Sequence, residues 1–68
     1  MPLHDAFDLF RRLGVHPDIL SRSVFSEAYH RLAQRYHPDV NPAPAAVELM
    51  ANINAARTTI LQLYRRSI

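Results

Sequence analysis

The sequence predicts an all-α fold of three helices, and three observations carry that expectation. Apolar residues recur at helical spacing in three segments. β-branched residues form no alternating runs, and the only glycine and the prolines fall at segment junctions. The 68 residues include no cysteine, so neither a disulfide nor a thiolate metal site can staple the chain. Hydrophobic residues make up 49% of the sequence, enough for one core and too many for a disordered tail. One domain over residues 1–68 is expected, with a thin margin of stability from burial alone.

The first helix is expected at about residues 5–13. Leu3, Phe7, Phe10 and Leu13 form its apolar stripe, with Arg11 and Arg12 off that stripe. Asp5 and Asp8 suit a helix N-terminus, and Gly14 suits the left-handed position after a C-terminus. A loop then runs through Val15-His16-Pro17-Asp18-Ile19-Leu20.

The second helix is expected at about 21–36, capped by Ser21 or Ser23. Phe25, Ala28, Tyr29, Leu32 and Tyr36 make one continuous face. Arg31 and Arg35 lie on one flank of it, His30 and Ser26 on the other. Glu27 stands four residues before Arg31, the favourable order for an ion pair. Pro38 stops the helix by disfavouring helical geometry at His37, and three prolines stiffen the loop over 37–43. Pro44 is preorganised to open a third helix at about 44–65. Its buried stripe is Ala46, Leu49, Met50, Ile53, Ala56, Ile60 and then Leu63 or Tyr64. The two longer helices should pack antiparallel, with the short first helix across them.

The net charge is +2 and the pI about 9.7, with every basic side chain an arginine. Such a surface suits an acidic protein or a nucleic acid. No signal-peptide pattern or membrane-length apolar run is present, so the expected compartment is the cytoplasm. No nucleophile–base pair or phosphate-cradling glycine loop points to catalysis. His4, His16, His30 and His37 lack short paired spacings and acidic or thiol companions, which argues against a metal site.

From Ala28 the chain reads Ala-Tyr-His-Arg-Leu-Ala-Gln-Arg-Tyr-His-Pro-Asp-Val-Asn-Pro. With Phe-Asp-Leu-Phe-Arg-Arg-Leu-Gly-Val before it and Met50, Ile53, Asn54 and Ala56 after it, this closely resembles the J-domain, the Hsp70 co-chaperone module named for DnaJ. The resemblance spans roughly residues 5 to 60. It implies a module, itself no enzyme, that binds an Hsp70 ATPase domain and stimulates ATP hydrolysis through His37-Pro38-Asp39. Asp39 would meet an arginine of the chaperone near its interdomain linker, Pro38 would set the loop and His37 would complete the contact. Tyr29, His30, Arg31 and Arg35 would face an acidic surface, and Asn41 would brace the loop. No cofactor, small-molecule substrate or membrane contact is implied, and a monomer is expected.

The chain also departs from the family pattern. Ser26 and Glu27 stand where basic residues are common, Arg57 where an aromatic residue is usual, and the fourth-helix signature is missing. The fourth helix is therefore expected to be reduced or absent. His30 replaces a permanent charge with a titratable one, so binding should weaken from about pH 6 to 8, given an ordinary histidine pKa of roughly 6.5.

His-Pro-Asp occurs twice, at residues 16–18 and 37–39. The first copy, flanked by Val15, Ile19 and Leu20, reads as turn chemistry. The second opens the proline-stiffened loop after an arginine-bearing helix, which selects it as the functional copy. A helix-turn-helix nucleic-acid binder is the competing class, disfavoured because that motif wants a tight turn where this chain has a long proline loop. A J-like scaffold that binds without stimulating is the other alternative.

Overall fold

The computed structural model describes residues 1–66. Three α-helices are present, α1 (Leu3–Arg12), α2 (Arg22–Tyr36) and α3 (Pro44–Arg66), with one turn of 3-10 helix at Pro17–Ile19. No strand occurs among the described residues, and no helix among them is long and apolar enough to cross a membrane.

Helix α1 starts at Leu3 rather than near Asp5, because the Pro2 carbonyl already accepts from the Ala6 amide at 3.0 Å. Its end is a Schellman arrangement. Val15 N donates to Phe10 O at 2.8 Å, Gly14 N donates to Arg11 O at 3.0 Å, and Gly14 takes φ +86°. The accompanying apolar contact is made by Phe10 and Val15, both buried in the same core. The buried face is rotated from the expected stripe: Ala6 and Phe10 are buried, Phe7 and Leu13 are partly buried, and Leu3 is exposed. Ala6 was not distinguishable from any small helical residue in the sequence. Its methyl is fully enclosed where α1 crosses α3.

Helix α2 is capped by Ser21, whose hydroxyl accepts from Val24 N at 3.3 Å. At its other end His37 N still donates to Ala33 O at 2.8 Å, but the His37 backbone is extended (ψ 139°) ahead of Pro38. Helix α3 opens on Pro44 and packs against both α1 and α2. Phe25, early in α2, meets Tyr64, late in α3, while Tyr29 meets Asn54 and Arg57 one to two turns earlier in α3. That reversed order makes α2 and α3 antiparallel.

The core centres on Phe10, Phe25, Ile53 and Ile60, all fully enclosed. The Phe10 and Phe25 rings meet edge to face with centroids 5.0 Å apart. Of the two candidates at the end of the α3 stripe, Tyr64 turns inward and Leu63 stays exposed. The Tyr64 hydroxyl shares its proton between Leu20 O at 2.8 Å and Pro17 O at 3.1 Å, fastening the α1–α2 connection to α3. No fourth helix follows α3 among the described residues.

Candidate functional site

The loop after α2 is built around His37. Its carbonyl accepts from both Val40 N (2.9 Å) and Asn41 N (2.8 Å), which folds Pro38 and Asp39 outward as the tip of a turn. The Asn41 carboxamide oxygen accepts from Ala43 N at 3.4 Å, joining the loop to the first turn of α3. The Asp39 carboxylate is 91% exposed, and among the described residues its one close side-chain neighbour is the imidazole of His37. Proline at position 38 limits the conformations the turn can lose on binding.

His37 Nδ1 closes the turn from the side-chain side: Asp39 N donates to it at 3.2 Å, and Asp39 Oδ2 lies 3.5 Å from the same nitrogen.

Tyr29 is half-buried and tied to α3 by its hydroxyl, which donates to Asn54 Oδ1 at 2.6 Å. The Arg57 guanidinium lies over the Tyr29 ring at 4.6 Å, and the His30 ring meets Tyr29 edge-on at 5.4 Å. Arg57 therefore meets the Tyr29 ring as a cation–π pair. Its position in the sequence shows only a lost aromatic; the contact becomes visible once α3 lies against α2.

The residues singled out in the sequence fall on two sides of α2. His30, His37 and Asp39 open onto one hollow of about 410 Å³, together with Ala33, Gln34 and Val40. Gln34 and Val40 carry no chemical signal of their own and were not anticipated. Arg31 and Arg35 border a different groove, of about 400 Å³, formed with the α1–α2 connection. Neither arginine has a carboxylate within 4.0 Å among the described residues. The anticipated Glu27–Arg31 pair is not formed: both side chains are exposed, where such pairs are worth too little to hold two flexible chains together.

The first His-Pro-Asp copy is a packed turn. Pro17 is buried, its carbonyl receives the Tyr64 hydroxyl, and Asp18 pairs with Arg11 at 3.5 Å. One further expectation is corrected. His4 does have acidic companions, since its ligand atom and those of Asp5 and Asp8 lie within 4.8 Å of one another on α1, with His4 Nε2 3.2 Å from Asp8 Oδ2.

A short helix crossing an antiparallel pair, with a polar tripeptide at the exposed turn of that pair, defines a small all-α module. The sequence pattern of the DnaJ domain matches residues 8–68, and the chain belongs to that family. It is 38% identical over 60 residues to chaperone protein DnaJ 1 of Aquifex aeolicus, covering 88% of this chain and 16% of the relative. A DnaJ chaperone of Limosilactobacillus reuteri is 40% identical over 60 residues, covering 88% of this chain and 15% of the relative. A DnaJ chaperone of a Synechococcus species is 47% identical over 51 residues, 75% of this chain and 13% of the relative. The chain thus spans less than a fifth of the length of these relatives. No solved structure gave a significant match.

Proposed function

We propose that this chain is the J-domain of an Hsp70 co-chaperone and stimulates ATP hydrolysis by docking on the chaperone's ATPase domain. The observation that carries the reading is the turn at residues 37–41, which holds the Asp39 carboxylate out in solvent on a braced backbone. A carboxylate so placed is suited to a guanidinium on the partner, a charge-assisted contact stronger than a neutral hydrogen bond. Arg31 and Arg35 supply positive charge on the other side of α2, and His30 shares the hollow with His37 and Asp39. The module supplies no catalytic group. It acts by binding the hydrolysing conformation of the chaperone better than the resting one.

The test is ATP hydrolysis by candidate Hsp70 chaperones with the wild-type chain and with His37→Gln. Stimulation by the wild type and its loss in the variant support the reading. No stimulation of any chaperone, or equal stimulation by the variant, would falsify it. Binding without stimulation would instead make the chain a J-like scaffold.

A further inference from the structure

Arg57 on α3 is a cation that the tripeptide loop does not account for. It is partly exposed, and no carboxylate lies within 4.0 Å of it among the described residues. Its guanidinium is seated on the Tyr29 ring at 4.6 Å, a contact that occupies one face of the plane and leaves the N–H donors at its rim. Tyr29 is fixed in turn. Its hydroxyl donates to Asn54 Oδ1 at 2.6 Å, and the His30 ring meets it edge-on at 5.4 Å. The phenol is therefore a platform, and the groups it holds at the α2–α3 seam are an imidazole and a guanidinium.

This cluster continues the hollow of the tripeptide loop. His30 belongs to both, since it touches Tyr29 and also lines the hollow with His37 and Asp39. Ala33, another wall of the hollow, stands one turn after Tyr29 on the same side of α2. The surface is one strip with unlike charges at its ends: the exposed Asp39 carboxylate and the Arg57 guanidinium. Tyr29 precedes Tyr36, the last residue of α2, by roughly 10 Å of helix at 1.5 Å per residue, which keeps the two ends apart.

We propose that Arg57 is a specificity-determining residue of docking, meeting a carboxylate of the partner while Asp39 meets a guanidinium at the other end of the strip. This assignment rests on the chaperone reading of the 37–41 turn and adds to it a contact on α3 of opposite sign to Asp39. Two unlike charges at a fixed separation select one orientation of the partner, because the reversed pose sets like charges together at both ends. A nucleic-acid backbone would gain at Arg57 and lose at Asp39, so a uniformly anionic partner does not match the strip. Seating on Tyr29 also lowers the side-chain freedom that Arg57 gives up on binding.

The test is ATP hydrolysis by an Hsp70 measured against the concentration of the chain, for wild type, Arg57→Tyr and Arg57→Glu. Tyrosine leaves a ring against Tyr29 and removes the charge, and both variants should keep wild-type helicity by circular dichroism. Expected is a half-maximal concentration raised about tenfold in Arg57→Tyr, the worth of one charge-assisted contact, and raised further in Arg57→Glu. Saturating variant should still reach the wild-type plateau, since Asp39 is untouched. Between about 50 and 300 mM salt the half-maximal concentration should rise more steeply for wild type than for Arg57→Tyr, a difference that a purely structural role would not produce. An unchanged half-maximal concentration in both variants, or equal salt dependence in wild type and Arg57→Tyr, overturns the proposal. Loss of helicity in both variants would make Arg57 a folding residue and overturns it equally. Wild-type stimulation that His37→Gln abolishes would leave the chaperone reading standing in those cases, whereas no stimulation of any Hsp70 by wild type removes both.

Discussion

Individual side chains tie the helices together through polar contacts as much as through apolar burial. Tyr64 is the clearest case, since one phenol both stacks near Phe25, with ring centroids 5.9 Å apart, and holds two carbonyls of the α1–α2 connection. Tyr64→Phe should cost about 0.5–1.5 kcal/mol in urea unfolding, the net worth of one such hydrogen bond. Burial also raises the Tyr64 pKa above its ordinary 10.0. The folded state then holds this proton more tightly than the unfolded chain, so the stabilisation is complete below about pH 10 and is lost as pH rises through the folded value. The phenylalanine variant should therefore lose less stability than wild type between neutral and strongly alkaline pH; an identical loss would contradict the assignment. At Arg57, truncation to alanine should cost about 0.5–1 kcal/mol through the lost cation–π contact. A double-mutant cycle with Tyr29→Leu would return that coupling, and additivity would refute it. Neither contact was legible in the sequence, because each joins positions far apart in the chain. Asn41 was legible: its side chain braces the loop through Ala43, a local Asx geometry that proximity in sequence suggests.

At the scale of elements, the junctions decide where each helix begins and ends. Gly14 adopts φ +86° with nothing within 4 Å of where a Cβ would stand, so a substitution there meets only backbone strain. Gly14→Ala should destabilise by about 1–2 kcal/mol with the fold retained, measured as a lower urea midpoint at unchanged slope. A neutral result would mean that the Schellman turn rearranges. The same junctions explain why element positions were readable in advance: Gly14, Ser21, Pro38 and Pro44 each act on the backbone within a residue or two. What could not be read was the rotation of α1, because its stripe is apolar on more than one side and the choice of Ala6 over Leu3 depends on α3. The turn at Pro17–Ile19 was expected as irregular loop, since the Tyr64 hydroxyl that pins it comes from the far end of the chain. The two His-Pro-Asp copies make the same point. Identical tripeptides become a turn packed through its proline and an exposed tip because Tyr64 and Arg11 hold the first, whereas the second follows the end of α2.

The whole molecule is a small core with a hollow on either side of α2, one lined by His37 and Asp39 and the other bordered by Arg31 and Arg35. Phe25 touches both sides of that core through Phe10 and Tyr64, so Phe25→Ala should remove about 3–5 kcal/mol. A domain of this size has a total stability of only about 3–10 kcal/mol, so the variant should be largely unfolded by circular dichroism at room temperature. A cooperative transition close to that of wild type would show that the aromatic cluster is not the keystone. By contrast, changes at the tip of the 37–41 turn touch nothing in the core and should alter function alone. The two tripeptides allow a matched comparison on that basis, since Asp18 and Asp39 are both exposed and each carboxylate lies near one basic side chain outside the core. The most direct measurement is single-turnover ATP hydrolysis by an Hsp70 that the wild-type chain stimulates, repeated with Asp39→Asn and with Asp18→Asn. The predicted result is return to the unstimulated rate for Asp39→Asn and full stimulation for Asp18→Asn, both with wild-type helicity. Full stimulation by Asp39→Asn, or loss confined to Asp18→Asn, would contradict the account.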